Sequence, residues 1–297
     1  MNKLKGIIAL TRWNEAYDMT IAITILGAIV SQSNFDYKIF IILIANFFSA
    51  LFIYMINDIE DAAEDAQNPQ KLKRNPIANK TLSKKEGYFY TGIVLVITIV
   101  LLVYLSVLSN NKSVILVGLI TLSLGFLYSY RKIRLKAIPI VDILSHVYFF
   151  AGGLFLASFY SYRQDLSQFG IIMFLLLCGI SAYGQFDNET RDYETDIKTK
   201  VNTTATLIGY KLSVIIKWSI LAIAILIFIW LVIFSEFFIY TSSMLVFLII
   251  SMFIGLLASY LRYRNYKNRR QFEREINQAL ILMGNVNLII YFLKIFI

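Results

Sequence analysis

The chain is built of apolar runs of about 20 residues separated by charged stretches, and no other feature restricts its fold as strongly. A run of that length crosses a ~30 Å hydrocarbon layer as a helix, in which every backbone N–H and C=O finds its partner within the segment. Nine candidates can be marked, at residues 17–33, 37–56, 88–109, 113–130, 138–160, 169–186, 212–234, 237–260 and 276–297. A cleaved signal peptide is the rival reading for the first, but Glu15 and Asp18 spoil a basic leader and no small-residue cleavage site follows IAITILGAIV. A composition 58% hydrophobic and 16% charged, with mean hydropathy +0.66, excludes the soluble class. There is no linker, low-complexity tract or composition shift, so one domain over residues 1–297 is expected: an all-α membrane protein with nine transmembrane helices in one bundle. The lone Cys178 lies inside an apolar run, forms no internal disulfide and reads as a small core residue.

The net charge of +9 invites a nucleic-acid reading, which the placement of the charges rejects. With nine spans, the N-terminus and the even-numbered connections share one side. They carry Lys3, Lys5 and Arg12; Lys71, Lys73, Arg74, Lys80, Lys84 and Lys85; Arg131, Lys132, Arg134 and Lys136; Arg191, Lys198, Lys200 and Lys211; and Arg262, Arg264, Lys267, Arg269, Arg270 and Arg274. That is 23 of the 28 basic residues; opposite them stand Lys38, Lys112, Arg163 and Lys294, with Lys217 just inside a span. The positive-inside rule then makes the N-terminus cytoplasmic and puts the C-terminus on the far side of a cell membrane. The basic turn YLRYRNYKNRRQFER reads as a loop facing lipid headgroups rather than as a catalytic one.

The acids are crowded instead. NDIEDAAED, residues 57–65, and DNETRDYETD, residues 187–196, hold ten of the nineteen acids, and each follows an apolar run on the cytoplasmic side. Aligned, Asn57, Asp58, Asp61 and Asp65 correspond to Asn188, Glu189, Asp192 and Asp196, an internal repeat placed after the second and the sixth span. Each window opens one of the two largest loops, 57–87 and 187–211; Pro69 and Pro76 in the first break any continuing helix. At 100° per residue, Asn57, Asp61 and Asp65 stack on one helix face with Asp58 beside them, and the second window repeats that face. Carboxylates so spaced repel each other, so cations must meet them. Lys71, Lys73 or Arg74 neutralising a solvated helix end is one answer. Two matched windows on the same side favour another: paired hard oxygen ligands suit Mg2+, which binds carboxylates together with phosphate oxygens, so that two opposed faces would hold a diphosphate between them.

These residues carry a resemblance. NDIEDAAED is similar to the NDxxDxxxD signature of the UbiA superfamily of membrane prenyltransferases, and DNETRDYETD to its second DxxxD motif. NPQKLKRNPIANKTLS resembles the family's basic, proline-containing loop, and LYSYRKIRLK places Tyr128 and Lys132 in its YxxxK spacing. Glu189, where the first window has Asp58, departs from the pattern by a longer arm. The resemblance covers nearly the whole chain and implies a UbiA-like bundle with a cytoplasmic cap formed by the loops after helices 2 and 6. It further implies a prenyltransferase that moves an isoprenyl group from a polyprenyl diphosphate to a lipophilic acceptor. Asp58, Asp61, Asp65, Glu189, Asp192 and Asp196 would bind Mg2+, with Asn57 and Asn188 as neutral ligands or donors. Lys71, Lys73, Arg74, Lys132 and Lys198 would neutralise the departing diphosphate, with Tyr128 beside them. Metal and ammonium charge on that leaving group is the electrostatic contribution such a reaction depends on, and an apolar bundle rich in Phe and Tyr shields the allylic cation from water.

Other residues are weaker candidates. Asp142 and the only histidine, His146, are spaced i, i+4 inside the fifth span, and intramembrane ionisable residues are candidates for substrate contact; a pair that satisfies itself and fixes helix packing is the alternative. Arg12 and Asn14 match a position where the family has polar residues near the acceptor. Gly152 and Gly153 read as permitting close helix contact. The loop NPQKLKRNPIA also resembles that of same-fold enzymes that transfer phosphoribose to a polyprenyl phosphate. A cation transporter would instead carry its acids mid-span at broken helices. The topology has a direct test: Gln67→Cys is expected to react with a membrane-impermeant thiol reagent only from the cytoplasmic side, and Gln164→Cys only from outside. Labelling of both from one side would overturn the nine-span arrangement.

Overall fold

The computed structural model describes residues 2–32, 36–199 and 201–234, and every element among them is helical. Residues Met1–Ile225 form one compact unit. The expected spans 237–260 and 276–297, the basic turn at residues 260–274, Lys200 and the C-terminus lie outside the described residues. Five helical stretches are long and apolar enough to cross a membrane: Lys38–Glu60, Lys84–Leu108, Val141–Tyr160, Gln168–Glu194 and Tyr210–Trp230. Two shorter apolar helices, Met19–Val30 and Ser113–Ser129, match the expected first and fourth spans.

A short helix, α1 (Lys3–Thr11), precedes α2 (Trp13–Val30). The chain turns between them at Arg12, in the left-handed region at φ 48. Helix α3 (Lys38–Glu60) is followed by the one-turn helices α4 (Ala62–Asp65) and α5 (Pro69–Arg74), then by α6 (Lys84–Leu108) and α7 (Ser113–Ser129). Pro69 starts α5 rather than ending a helix: it sits in the first turn, where its missing N–H costs nothing, behind an Asn68 cap. The fifth span is composite, α8 (Val141–Val147), a π-helical turn (Tyr148–Gly152) and α9 (Gly153–Tyr160). Then come α10 (Gln168–Thr199), α11 (Thr204–Ile208) and α12 (Tyr210–Phe234).

Helix α3 is the hub. It packs on α2, α6, α7 and α9, while α10 packs on α8. Apolar side chains gain little by leaving lipid for a helix interface, so close backbone approach and polar bonds hold such bundles together. Buried Asn46 on α3 donates to Thr24 Oγ1 of α2 at 2.9 Å and to the Leu154 carbonyl of α9 at 3.0 Å. Ser158 of α9 donates to the Thr24 carbonyl at 2.6 Å. Where α2 crosses α9, a Cβ on Gly27 would stand 2.7 Å from the Phe155 carbonyl oxygen. Gly153 approaches Thr121 of α7 so closely that a Cβ there would clash with its hydroxyl, and Gly152 lies under Phe174, as close helix contact requires. By contrast, Val96, Val100, Val103 and Val107 form an exposed apolar stripe along α6, the surface a bilayer would cover. Overpacking costs about 1–3 kcal/mol. Gly153→Leu is therefore expected to lower the thermal unfolding midpoint in detergent, whereas Gly92→Leu, at a position where an added Cβ meets nothing, leaves it in place. Equal shifts would overturn the packing assigned to Gly153.

Candidate functional site

The first acidic window is the end of α3 and its continuation. The α3 helix stops at Glu60 and Asp61 starts α4 with φ −87 and ψ 0, yet the ladder of bonds runs through the break: Asp61 N–H donates to the Asn57 carbonyl at 2.9 Å and Asp65 N–H to the Asp61 carbonyl at 2.8 Å. The expected face survives in part. Asn57 Nδ2 donates to Asp61 Oδ2 at 2.8 Å and to Ser129 Oγ of α7 at 3.1 Å. Asp58 has no exposed surface; Arg74 donates to its Oδ1 at 2.9 Å and Arg12 Nη1 lies 3.5 Å from the same oxygen. Arg12 also pairs with Glu15 and lies 4.3 Å over the ring of Tyr54. Burial works against the charge on Glu15, but Arg12 and then Arg74 outweigh it and hold its pKa below the ordinary value. Asp58 Oδ2 and Arg74 Nε are buried without hydrogen-bond partners.

Asn75 pins the loop that follows. Its Nδ2 donates to the Asp58 carbonyl at 2.8 Å and to Asp65 Oδ2 at 2.9 Å, and its Oδ1 accepts from the N–H of Ile77 at 2.9 Å and of Ala78 at 3.3 Å. Lys71 stands 3.8 Å from Asp65. Lys73 is exposed, as is Asn14.

The connection between α7 and α8 docks on the same window. Lys136, on a 3-10 turn (Leu135–Ala137), bonds both oxygens of Asp61. Arg134 donates to Glu64 at 2.6 Å, and although burial opposes it, this bond holds the Glu64 pKa down. Tyr88 donates to Glu60 at 2.5 Å. In the YxxxK pair, Lys132 is exposed and Tyr128 points the other way, accepting from Gln185 Nε2 at 3.3 Å. Sequence reasoning named Lys132, whereas the lysine bonded to Asp61 is Lys136. Lys136, Glu15, Asn75 and Gln185 were not among its candidates, and their only sequence signal was position beside a motif.

The second window corrects the expected loop at 187–211: α10 runs unbroken to Thr199, so residues 187–196 are the end of one long helix. Glu189 is buried and turned inward. Its Oε2 accepts from the Ala205 N–H at 2.9 Å, its Oε1 accepts from Gln185 at 3.0 Å, and it lies against Asp142. Asp142 does not pair with His146. It accepts from the N–H and the hydroxyl of Thr204 at 2.7 and 2.5 Å, because the start of α11 brings those donors to it. Arg191 bonds Asn188, and Lys217 of α12 reaches Asp187 at 3.0 Å. Asp192 and Lys198 are exposed. Asp196 is half-buried, and burial, then the neighbouring Asp192 carboxylate, pushes its pKa up to about 6. Lys71 acts on Asp196 in the opposite sense, so this one lysine faces an acid of each window.

Among the described residues no three Asp, Glu, His or Cys side chains converge as a ready-made metal site. The donors nonetheless fit a hard divalent cation. All are carboxylate or amide oxygens, Asp58 Oδ2 is a buried acceptor with nothing to accept from, and Asp192 and Asp196 repel each other in a way a cation would relieve. Glu189 fits less well, since both its oxygens are engaged.

Comparison with curated proteins by sequence finds no match. Solved structures share the fold. A UbiA homolog from Archaeoglobus fulgidus bound to GPP and Mg2+ superposes with a TM-score of 0.66 at 15% identity, over 95% of this chain and 99% of that one. The apo UbiA homolog from Aeropyrum pernix K1 gives 0.70 at 14% identity, over 94% and 98%. A structure from work on digeranylgeranylglyceryl phosphate synthase in membranes gives 0.63 at 19%, over 97% and 99%. At such identities the likeness speaks for the fold alone. The sequence profile of the UbiA prenyltransferase family matches residues 20–282, a range that takes in both acidic windows and every long apolar helix described. A multi-pass helical membrane protein, this chain belongs to the UbiA prenyltransferase family.

Proposed function

We propose that the protein transfers an isoprenyl group from a polyprenyl diphosphate to a lipophilic acceptor. The observation that carries this reading is the first window itself, where Lys136 bonds both oxygens of Asp61 and Lys71 stands 3.8 Å from Asp65, with a second helix end carrying Asp192 and Asp196. Two carboxylate windows with basic residues beside them suit a diphosphate, whose negative oxygens need metal and ammonium charge. The relatives solved with GPP or DMAPP and Mg2+ support the same donor class. In this reading Asp58, Asp61, Asp65, Asp192 and Asp196 hold Mg2+, with Asn57 and Asn188 as neutral donors. Glu189 anchors α11 instead. Bound Mg2+ supplies positive charge where the leaving group becomes more negative.

The chain's own residues do the rest. Arg12 and Arg74 bring positive charge to Asp58 and hold it in place. Lys71, Lys73, Lys132 and Lys198 surround the diphosphate, and Lys136 exchanges its bond to Asp61 for one to a phosphate oxygen when donor and cation arrive. Tyr128 borders the interior, where the apolar helices exclude water from the allylic carbon. Nine spans in a single domain over residues 1–297, a cap formed by the loops around α5 and α11, a cytoplasmic N-terminus and a C-terminus on the opposite side complete the proposal. In that arrangement the donor diphosphate is taken from the cytoplasmic side and the acceptor from the bilayer.

Two experiments test it. Asp61→Ala and Asp192→Ala are each expected to lower turnover by about 100-fold or more while the purified protein still elutes as a folded species, and EDTA is expected to abolish turnover reversibly. Full activity in either variant would move the cation site elsewhere. In the second, purified protein receives radiolabelled geranylgeranyl diphosphate or radiolabelled phosphoribosyl diphosphate, with total native lipid as acceptor. Label is expected to enter lipid from the first donor. Label entering only from the sugar donor would overturn prenyl transfer and leave the fold intact.

A further inference from the structure

His146 has a buried Nδ1 with no hydrogen-bond partner, the only side-chain atom so placed on the composite fifth span among the described residues. An unpaired polar atom in the interior is costly, so its retention calls for an explanation. The residue stands on α8, just before the π-helical turn; such turns often mark functional sites. Its direction is settled by its neighbours. Leu144, two residues earlier and on the opposite face, is exposed, while Ile143 and Val147 pack on Phe186 of α10. His146 therefore faces the interior of the bundle.

There it is flanked by three aromatic rings: Phe150 at 4.8 Å, Phe149 at 5.3 Å and Tyr128 at 5.9 Å between centroids. The residue as a whole is half-buried, while its Nδ1 is fully buried among these rings. The ring cluster connects to both windows. Phe150 stands 5.2 Å from Tyr54, the ring beneath Arg12, and Tyr128 is bonded to Gln185, which also holds Glu189. The residue thus sits in a cluster of rings that links the two windows.

We propose that His146 is the acceptor-binding residue, its imidazole hydrogen-bonded to a hydroxyl- or amine-type group at the reacting end of the acceptor. This rests on the prenyl-transfer reading and deepens it by naming the acceptor's chemistry. An acceptor carrying such a group satisfies Nδ1 or, through the other tautomer, Nε2. A purely hydrocarbon acceptor would leave the nitrogen orphaned and is selected against. Of the aromatic neighbours the two Phe rings offer no hydrogen bond, and Tyr128 accepts from Gln185.

The test uses purified full-length protein with Mg2+, radiolabelled geranylgeranyl diphosphate and total native lipid extract. His146→Phe keeps a planar ring but forms no hydrogen bond; His146→Asn restores a donor and an acceptor. His146→Phe is expected to reduce label transferred to lipid by about tenfold or more. Binding of geranylgeranyl diphosphate by titration calorimetry and the thermal midpoint are expected to stay at wild-type values. His146→Asn is expected to recover part of the transfer. Wild-type transfer by His146→Phe would overturn the proposal, and so would a loss of donor binding or stability parallel to the loss of transfer, which would make the residue part of the packing. If the wild-type protein binds no prenyl diphosphate at all, the functional reading falls, and this inference with it.

Discussion

A carboxylate held without water at the edge of a hydrocarbon layer is tolerated only if positive charge meets it, and Asp58 sets that demand here. It has no exposed surface, and two guanidinium groups from distant parts of the chain converge on its Oδ1. Arg12 comes from the left-handed turn between α1 and α2, and Arg74 from the last turn of α5. The contacts that neutralise Asp58 thus also place the N-terminal segment over the end of α3 and fold the 66–83 loop back on it. Breaking either would leave a buried charge uncompensated, which costs several kcal/mol in comparable pairs.

The second window solves the same problem without a guanidinium. Glu189, in the place that corresponds to Asp58, is met by the Ala205 N–H and the Gln185 amide. Asp142 is met by the N–H and the hydroxyl of Thr204. Neutral donors therefore tie α11 across the end of α10. Buried acids in both halves thus act as anchors for the loop that follows them. The difference is chemical. The first half is rich in cations, whereas in the second the Asp192 carboxylate raises the pKa of Asp196.

The interior between the windows is built for exclusion rather than charge. Tyr54, Phe150, Phe149 and Tyr128 form a chain of rings in contact from the first window toward the second, with His146 as its one nitrogen-bearing member. The glycines at crossings and the Asn46 bonds draw α2, α3 and α9 closely together beside these rings. In lipid, those contacts stand in for the hydrophobic driving force that a soluble core would have.

By itself, the sequence determined what depends on neighbouring residues. Hydropathy over about 20 residues marks the long helices, because each satisfies its own backbone in lipid. The i, i+4 spacing of the acids marks both windows, and Asn57 does bond Asp61 one turn away. The glycine pair at 152 and 153 was legible as a close contact for the same local reason. Tertiary structure decided which charges meet. Lys136 rather than Lys132 reaches Asp61, across 75 positions of chain, and Asp142 turns to Thr204, 62 positions away, rather than to His146 one turn along its own helix. Arg12 was a weak candidate until the fold brought it to Asp58. The second window was expected as a loop because its charge density looks like one, yet α10 carries it as helix beyond the apolar span, since Glu189 has donors from α11 to face. Local periodicity says where a side chain points on its own helix. Only the packing of distant helices says what it finds there.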